Sequence, residues 1–256
     1  MATNKQKAID RLGEKIESSQ CGIMEIVEYN NAHDVKVVFK TGNIVKSTYS
    51  DFKRGLIRDH LVKRFLNVGF VGAGKHKTCV RGKKTKAYKK WDSMMSRCYS
   101  EHRMRIDLTY INVSVCDTWH NFQNFAEWYS YNYYEIPNEI MHLDKDLTKK
   151  NNKVYCPEFC GFVPTCINNI LNSNRSANRK YPVGVCYNPQ NKNYYSRMRK
   201  PGSNPYIGSY NTMEEAFESY KFEKEKQLKV MANKYKNYIP SKIYKYLMEY
   251  EVKISD

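Results

Sequence analysis

Apolar and polar residues alternate with period two over three stretches near the start of the chain: residues 22–29 (GIMEIVEY), 34–39 (DVKVVF) and 44–49 (IVKSTY). A half-buried strand requires that period, because successive side chains point to opposite faces. Asn30-Asn31 and Thr41-Gly42-Asn43 supply turns between the runs. Residues 1–70 are therefore expected to form a small β-barrel-like module, with residues 1–10 as a frayed start. From Tyr88 the period changes. Tyr88, Trp91, Met95 and Cys98 recur at helical spacing. A second helix is predicted after Asp117, its N-cap, with Trp119, Phe122, Phe125, Ala126 and Tyr129 on the buried side. Aromatics at this spacing belong to a core.

Alternation returns near the other end. Val183, Val185 and Tyr187 form one set, and Tyr194, Ser196 and Met198 another, with Asn188-Pro189 and Pro201-Gly202 as turns. Thr212 then stands three residues before Glu215, the spacing of a capping box. Met213, Phe217, Tyr220, Leu228, Met231 and Tyr235 follow as one apolar stripe. This predicts a three-stranded sheet packed on one long helix over residues 181–235. If Tyr194, Ser196 and Met198 face the helix, then Asn193, Tyr195, Arg197 and Arg199 face the other way, beside Cys186 and Asn188 of the first strand. Lys192 and Lys200 flank the second strand. Arginine forks beside aromatic rings suit phosphate oxygens and guanine edges. After Pro240, Ser241 is expected to cap a short C-terminal helix within residues 236–256.

The patterning gives an α+β, multi-domain chain, and composition agrees: 256 residues are 41% hydrophobic and 14% aromatic. Net charge is +17, and its distribution says more. Residues 71–100 carry nine Lys/Arg against one acid and residues 173–256 carry sixteen against eight, whereas residues 101–172 carry six against nine. Two basic blocks bracket an acidic middle. Clustered cations attract polyanions by releasing condensed counterions, which makes nucleic acid the natural partner. An A+T-rich genome would also enrich Lys, Asn and Tyr, so clustering carries more weight than bulk charge. Residues 71–87 are expected to be a mobile basic linker, and residues 173–180 (SNRSANRK) a second one. Gly72-Ala73-Gly74-Lys75 lacks the glycine spacing of a phosphate loop. No run of 18 apolar residues exists, and the start of the chain is polar, which argues against a membrane span and a secretory signal. Eight scattered cysteines fit a reducing cytoplasm.

The V-G-V turn-in (183–185), the YYSRMR strand, the Y-I-G-S-Y strand and the T-x-E-E-A-F-x-x-Y helix start resemble the plant ethylene-response-factor DNA-binding domain. The resemblance implies a sheet lying in the major groove. Carried across by position, the contacts fall on Cys186, Asn188, Arg197, Arg199 and Tyr206. From Trp91, the run W-x-x-M-x-x-R-C-Y, then V-C-D-x-W-x-x-F, then L-D-K-D-x(6)-K-V-Y-C-P-E-x-C-x-F-V-P-x-x-I-N resembles the HNH-type homing endonucleases of phages. In that family a β-hairpin and a helix clamp one divalent metal against the scissile phosphate, and a histidine acts as base. The matching positions are Asp144, Lys145 and Asp146 on the strand, Glu158 or Phe159 at the centre, and Asn168 or Asn169 on the helix. His142 is the last histidine in the chain and precedes the column where the base would sit.

Three readings of the central region, residues 88–172, follow. In one, Asp144 and Asp146 bind Mg²⁺ with Asn169, and His142 or a metal-bound water supplies the base. In another, the clamp is a relic that only supports binding. In the third, Cys98, Cys116, Cys156 and Cys160 hold structural Zn²⁺, with Cys166 as a spare ligand. The expected function is that of a phage-type, double-stranded-DNA-binding protein of the host cytoplasm, cleaving DNA as a metal-dependent endonuclease. The alternatives are a non-catalytic DNA-binding regulator and a protein-directed inhibitor of a host system.

Overall fold

The computed structural model describes residues 4–172, 180–198 and 205–255. In chain order the elements are α1 (Asn4–Arg11), β1 (Lys15–Ser18), β2 (Gly22–Asn31), β3 (Asp34–Phe39), β4 (Ile44–Ser47) and α2 (Tyr49–Lys53). Next come β5 (Cys79–Val80), β6 (Lys83–Lys84), α3 (Lys86–Tyr99), α4 (Glu101–Ile106), a 3-10 turn (Leu108–Tyr110), β7 (Ser114–Val115), α5 (Asp117–His120) and α6 (Phe122–Asn132). The remainder is β8 (Met141–Asp144), β9 (Val154–Tyr155), β10 (Gly161–Pro164), α7 (Thr165–Leu171), β11 (Val185–Asn188), β12 (Asn193–Arg197), β13 (Tyr206–Tyr210), α8 (Met213–Lys234) and α9 (Ser241–Met248). The class is α+β. Two compact units divide the chain: Met1–Trp91 with Asp117–Glu127, and Asp92–Cys116 with Trp128–Asp256. Among the described residues no helix is long and apolar enough to cross a membrane.

In the first unit, β1 to β4 form one antiparallel meander in sequence order. Its inward positions (Met24, Ile26, Tyr29, Val35, Val37, Phe39) close over Phe52 of α2 and Ile57. The sheet is open: among the described residues β1 does not pair with β4, so the expected barrel-like closure is corrected to a meander whose end strands have four residues each. Residues 4–11 are a helix rather than a frayed start. Its last residue explains the order, since the Arg11 guanidinium lies 3.8 Å from the centroid of the Tyr49 ring and donates to the Tyr29 hydroxyl.

The segment expected to be a mobile linker is also structured. Asn121 and Gln123 of the α5–α6 region press against Gly72 and Gly74, where any Cβ would collide with their side chains. Gln123 donates to the carbonyls of Val71 and His76 and accepts from the His76 N–H. Glu127 pairs with Lys75 and with His76 Nε2 at 2.6 Å. Beyond the loop, β5 and β6 form a two-stranded ribbon. Arg81 (φ 47°) and Gly82 (φ 76°) close it, both left-handed as a two-residue hairpin with strand-matched twist requires. Thr85 then caps α3 by accepting from the Tyr88 N–H at 3.2 Å. Trp91, fully buried, donates its indole N–H to the Trp119 carbonyl at 2.7 Å, as the aromatic spacing of the two helices predicts.

In the second unit the late sheet has the order β11-β12-β13, antiparallel throughout, with α8 behind it. Val183, Val185 and Met198 pack against Ala216, Phe217 and Tyr220 of α8. The predicted capping box at Thr212 and Glu215 is present. Gly184 (φ 79°) lies so close to Tyr220 that a Cβ would fall inside the ring. This approach explains the V-G-V signature in steric terms. Between Ser196 and Arg197 the register shifts by one residue, so that Ser196 opposes Gly208 while Arg197 opposes Tyr206.

Candidate functional site

The central region of the second unit contains a ββα arrangement. Strands β8 and β10 pair antiparallel with Asp144 opposite Gly161 and His142 opposite Val163, and α7 starts directly after Pro164. Every residue of β10 is buried, and so are Ile167, Ile170 and Leu171 of α7, which fixes the helix against the hairpin. His142 and Asp144 lie two apart and share a face. Asn168 and Asn172 lie four apart, one turn along one helix face.

These four side chains line one wall of a cleft of about 460 Å³, and Arg97, Asp107, Thr109 and Tyr110 line another. Asp144, 5% exposed, accepts from the Asp146 N–H at 2.7 Å through Oδ1. Its Oδ2 accepts from Asn172 Nδ2 at 3.3 Å, and the same amide nitrogen donates to Asn168 Oδ1 at 3.1 Å. A strand carboxylate and a helix amide oxygen therefore point at one position, currently held by an N–H donor. Thr165 donates its hydroxyl to the Ile140 carbonyl at 3.0 Å, so at 3.1 Å it accepts from His142 Nε2. A Thr165 hydroxyl committed to Ile140 pairs with an imidazole protonated on Nε2.

Arg97 donates to the Tyr155 hydroxyl and to Ser93 Oγ, both at 3.2 Å. Burial works against its charge, and Tyr155 and Tyr110 outweigh that effect, leaving its pKa above the ordinary value. Burial pushes the Tyr155 hydroxyl well up, so the ring stays neutral and acts as an acceptor.

The placements differ from the expectation in two respects. Lys145 turns its ammonium onto both oxygens of Asp146, at 2.8 and 3.0 Å, and onto the Asn152 carbonyl. Asp146, which lines the same cleft as Asp144, thus has both carboxylate oxygens held in an ion pair. Asn169 is exposed and does not line the cleft; its neighbour Asn168 and the unforeseen Asn172 do, because the buried side of α7 is set by Ile167, Ile170 and Leu171. Arg97 was the other residue missed, although it sits in the W-x-x-M-x-x-R-C-Y run; its partner Tyr155 is distant in sequence.

A divalent cation of the Mg²⁺ type takes oxygen ligands and retains several waters, needing one or two protein carboxylates. The oxygens of Asp144 and Asn168 fit that demand. Neither in the cleft nor among the thiols do the described residues contain a group of three or more His, Cys, Asp or Glu placed to hold a metal. All eight cysteines are unpaired with one another. Burial pushes the Cys98 thiol up to about 12, and Cys160 and Cys156 are raised for the same reason. Cys116 is half-buried and Cys166 lies 3.4 Å from the Tyr235 hydroxyl.

The second candidate surface is the face of the late sheet away from α8. Cys186, Tyr195 and Ser209 form one cross-strand row, and Arg197 and Tyr206 another. Arg197 is exposed, while Ser196 and Met198 on either side are buried. Tyr206 is 51% exposed, tilts its ring toward Tyr195 at 6.4 Å and donates to Ser209 Oγ at 3.0 Å. The hydrogen bond that the Tyr195 hydroxyl donates to Cys186 is the leading reason that this hydroxyl is raised. Asn188 spends its side-chain carbonyl on the turn, accepting from the Gln190 and Asn191 N–H groups. Lys192 is exposed in that turn. Arg199 and Lys200, also expected on this face, lie outside the described residues, as does nearly all of the expected linker at residues 173–180. Comparison with protein-family models, curated proteins and solved structures found no match for the chain.

Proposed function

We propose that the chain binds double-stranded DNA through the outer face of the β11–β13 sheet and hydrolyses a phosphodiester bond in the Asp144–Asn168 cleft, in the manner of a phage endonuclease in its host's cytoplasm. The observation that carries this reading is the convergence of Asp144 Oδ2 and Asn168 Oδ1 on one position in the cleft that Arg97 also lines. Asp144 and Asn168 would hold the divalent ion. When bound, such an ion offsets charge on the leaving oxygen and eases ionisation of water.

The chain's own groups supply the rest. Arg97, fixed in direction by Tyr155 and Ser93, binds a non-bridging phosphate oxygen. His142, with Nε2 occupied by Thr165, takes a proton from the attacking water at Nδ1. On the sheet, Arg197 and Tyr206 reach base edges or phosphates, and Tyr195 supports them from the adjacent row.

The test is nicking of supercoiled plasmid with Mg²⁺ or Mn²⁺, comparing wild type, Asp144→Ala and Asn168→Ala. Wild-type nicking that EDTA stops and Asp144→Ala lowers by at least about a hundredfold supports the reading; wild type inert with every cation removes the cleavage half. A specific observation favours a second reading, a non-catalytic DNA-binding regulator: Lys145, directly after β8, ties up both carboxylate oxygens of Asp146 in the cleft wall. This regulator would shift the same DNA in a gel with no metal-dependent product.

A further inference from the structure

We propose that the β5–β6 ribbon and the start of α3 form a separate, sequence-independent anchor for the phosphate backbone of duplex DNA. The proposal rests on the DNA-binding reading above, but uses different residues in the other of the two units. Between residues 76 and 91 there are seven lysines and arginines and no acid. Lys77, Arg81, Lys83, Lys84, Lys86 and Lys89 are all exposed. They are held on ordered backbone: two paired strands, a two-residue turn with both residues left-handed, and a capped helix start.

Two features point to phosphate as the ligand. The first is composition. Five of the six exposed cations are lysines, point charges without the planar fork that reads a guanine edge, and no Asn or Gln accompanies them. The second is placement against the fold's own field. Lys86 and Lys89 occupy the first turn of α3, which has no acidic residue, although a helix start favours negative charge. An anion lying along this turn relieves that conflict. A two-stranded ribbon is also narrow enough to follow a DNA groove edge.

The experiment measures binding of a fixed duplex and of an unrelated duplex across a salt series. It compares the wild type, a fourfold Lys83→Ala/Lys84→Ala/Lys86→Ala/Lys89→Ala variant and the matching fourfold Lys→Arg variant. The alanine variant should lower the slope of log affinity against log salt by about 0.9 for each phosphate no longer neutralised, equally on both duplexes. The arginine variant should keep the wild-type slope, and circular dichroism should show the same fold in all three. A wild type that binds with a slope the alanine variant shares overturns the anchor alone. A wild type that binds no duplex overturns the anchor and the DNA reading together. A loss confined to one of the two sequences shows base readout and overturns the phosphate assignment. If the wild type binds poly-glutamate in preference to duplex, the surface belongs to an acidic protein partner and the inference fails.

Discussion

Lys145 and Asp146 are 7% and 6% exposed and bonded to each other in the wall of the cleft beside Asp144. A buried ion pair adds little net stability, yet removing one partner strands the other's charge. Lys145→Ala should therefore lower unfolding stability by about 3–5 kcal/mol, read from the urea midpoint, and Lys145→Met/Asp146→Leu should recover most of that loss. Cys98 makes a second residue-scale expectation. Its folded pKa is raised to about 12 from 9.0 by burial, so the folded state keeps a proton that the unfolded state gives up. Stability from this thiol is complete below pH 9 and is lost as pH rises toward 12. A Cys98→Ala variant should show a shallower fall of the urea midpoint across that window. With a thiol-specific reagent at pH 8, exposed Cys79 should react fast and Cys98 slowly. Legibility in the sequence also divides at this scale. Asp144 and His142 entered the reading through the motif resemblance alone, and the strand they share puts both on one face. Asp146 and Asn169 could not be placed, because the first depended on where a long lysine side chain would fold back and the second on a rotation of α7 by one residue. Asn172 was open to reading, since it repeats Asn168 at one helical turn.

At the level of elements, the late sheet and α8 followed from period, turn residues and a capping box, each of which is a local signal. Gly184→Ala should cost at least about 2 kcal/mol, since the new methyl must displace the Tyr220 ring and take a left-handed backbone. Thr212→Ala should cost about 1 kcal/mol, read in the same thermal or urea melts. The β5–β6 ribbon escaped sequence reasoning for a definable reason. Its strands are too short to show a period, and its turn residues, Arg81 and Gly82, lie within a run of charge that reads as a linker. The open meander was misjudged in its closure alone, because sheet closure depends on end strands meeting, which no local pattern encodes.

For the whole molecule, the net charge of +17 sets a field that favours any polyanion, and in the proposed reading the rows on the sheet set how duplex DNA is held. Arg197→Ala should weaken duplex binding by about 1–3 kcal/mol and relax its preference for one sequence, whereas the ribbon lysines should act alike on all sequences. Gel shifts at two salt concentrations separate the two effects. With Ile207 in the strand, the outward arginine faces an aromatic ring because the ladder slips by one residue beside it. Counting back by twos from Tyr210, which packs on the α8 side, would turn Tyr206 toward that helix as well, yet Ile207 takes the inward place and Tyr206 emerges on the far side. Deleting that isoleucine would regularise the ladder, since Tyr206 would then directly precede Gly208 and stay outward, opposite Arg197. The extra residue thus gives the core one more apolar side chain while the arginine and its ring stay paired on the far face.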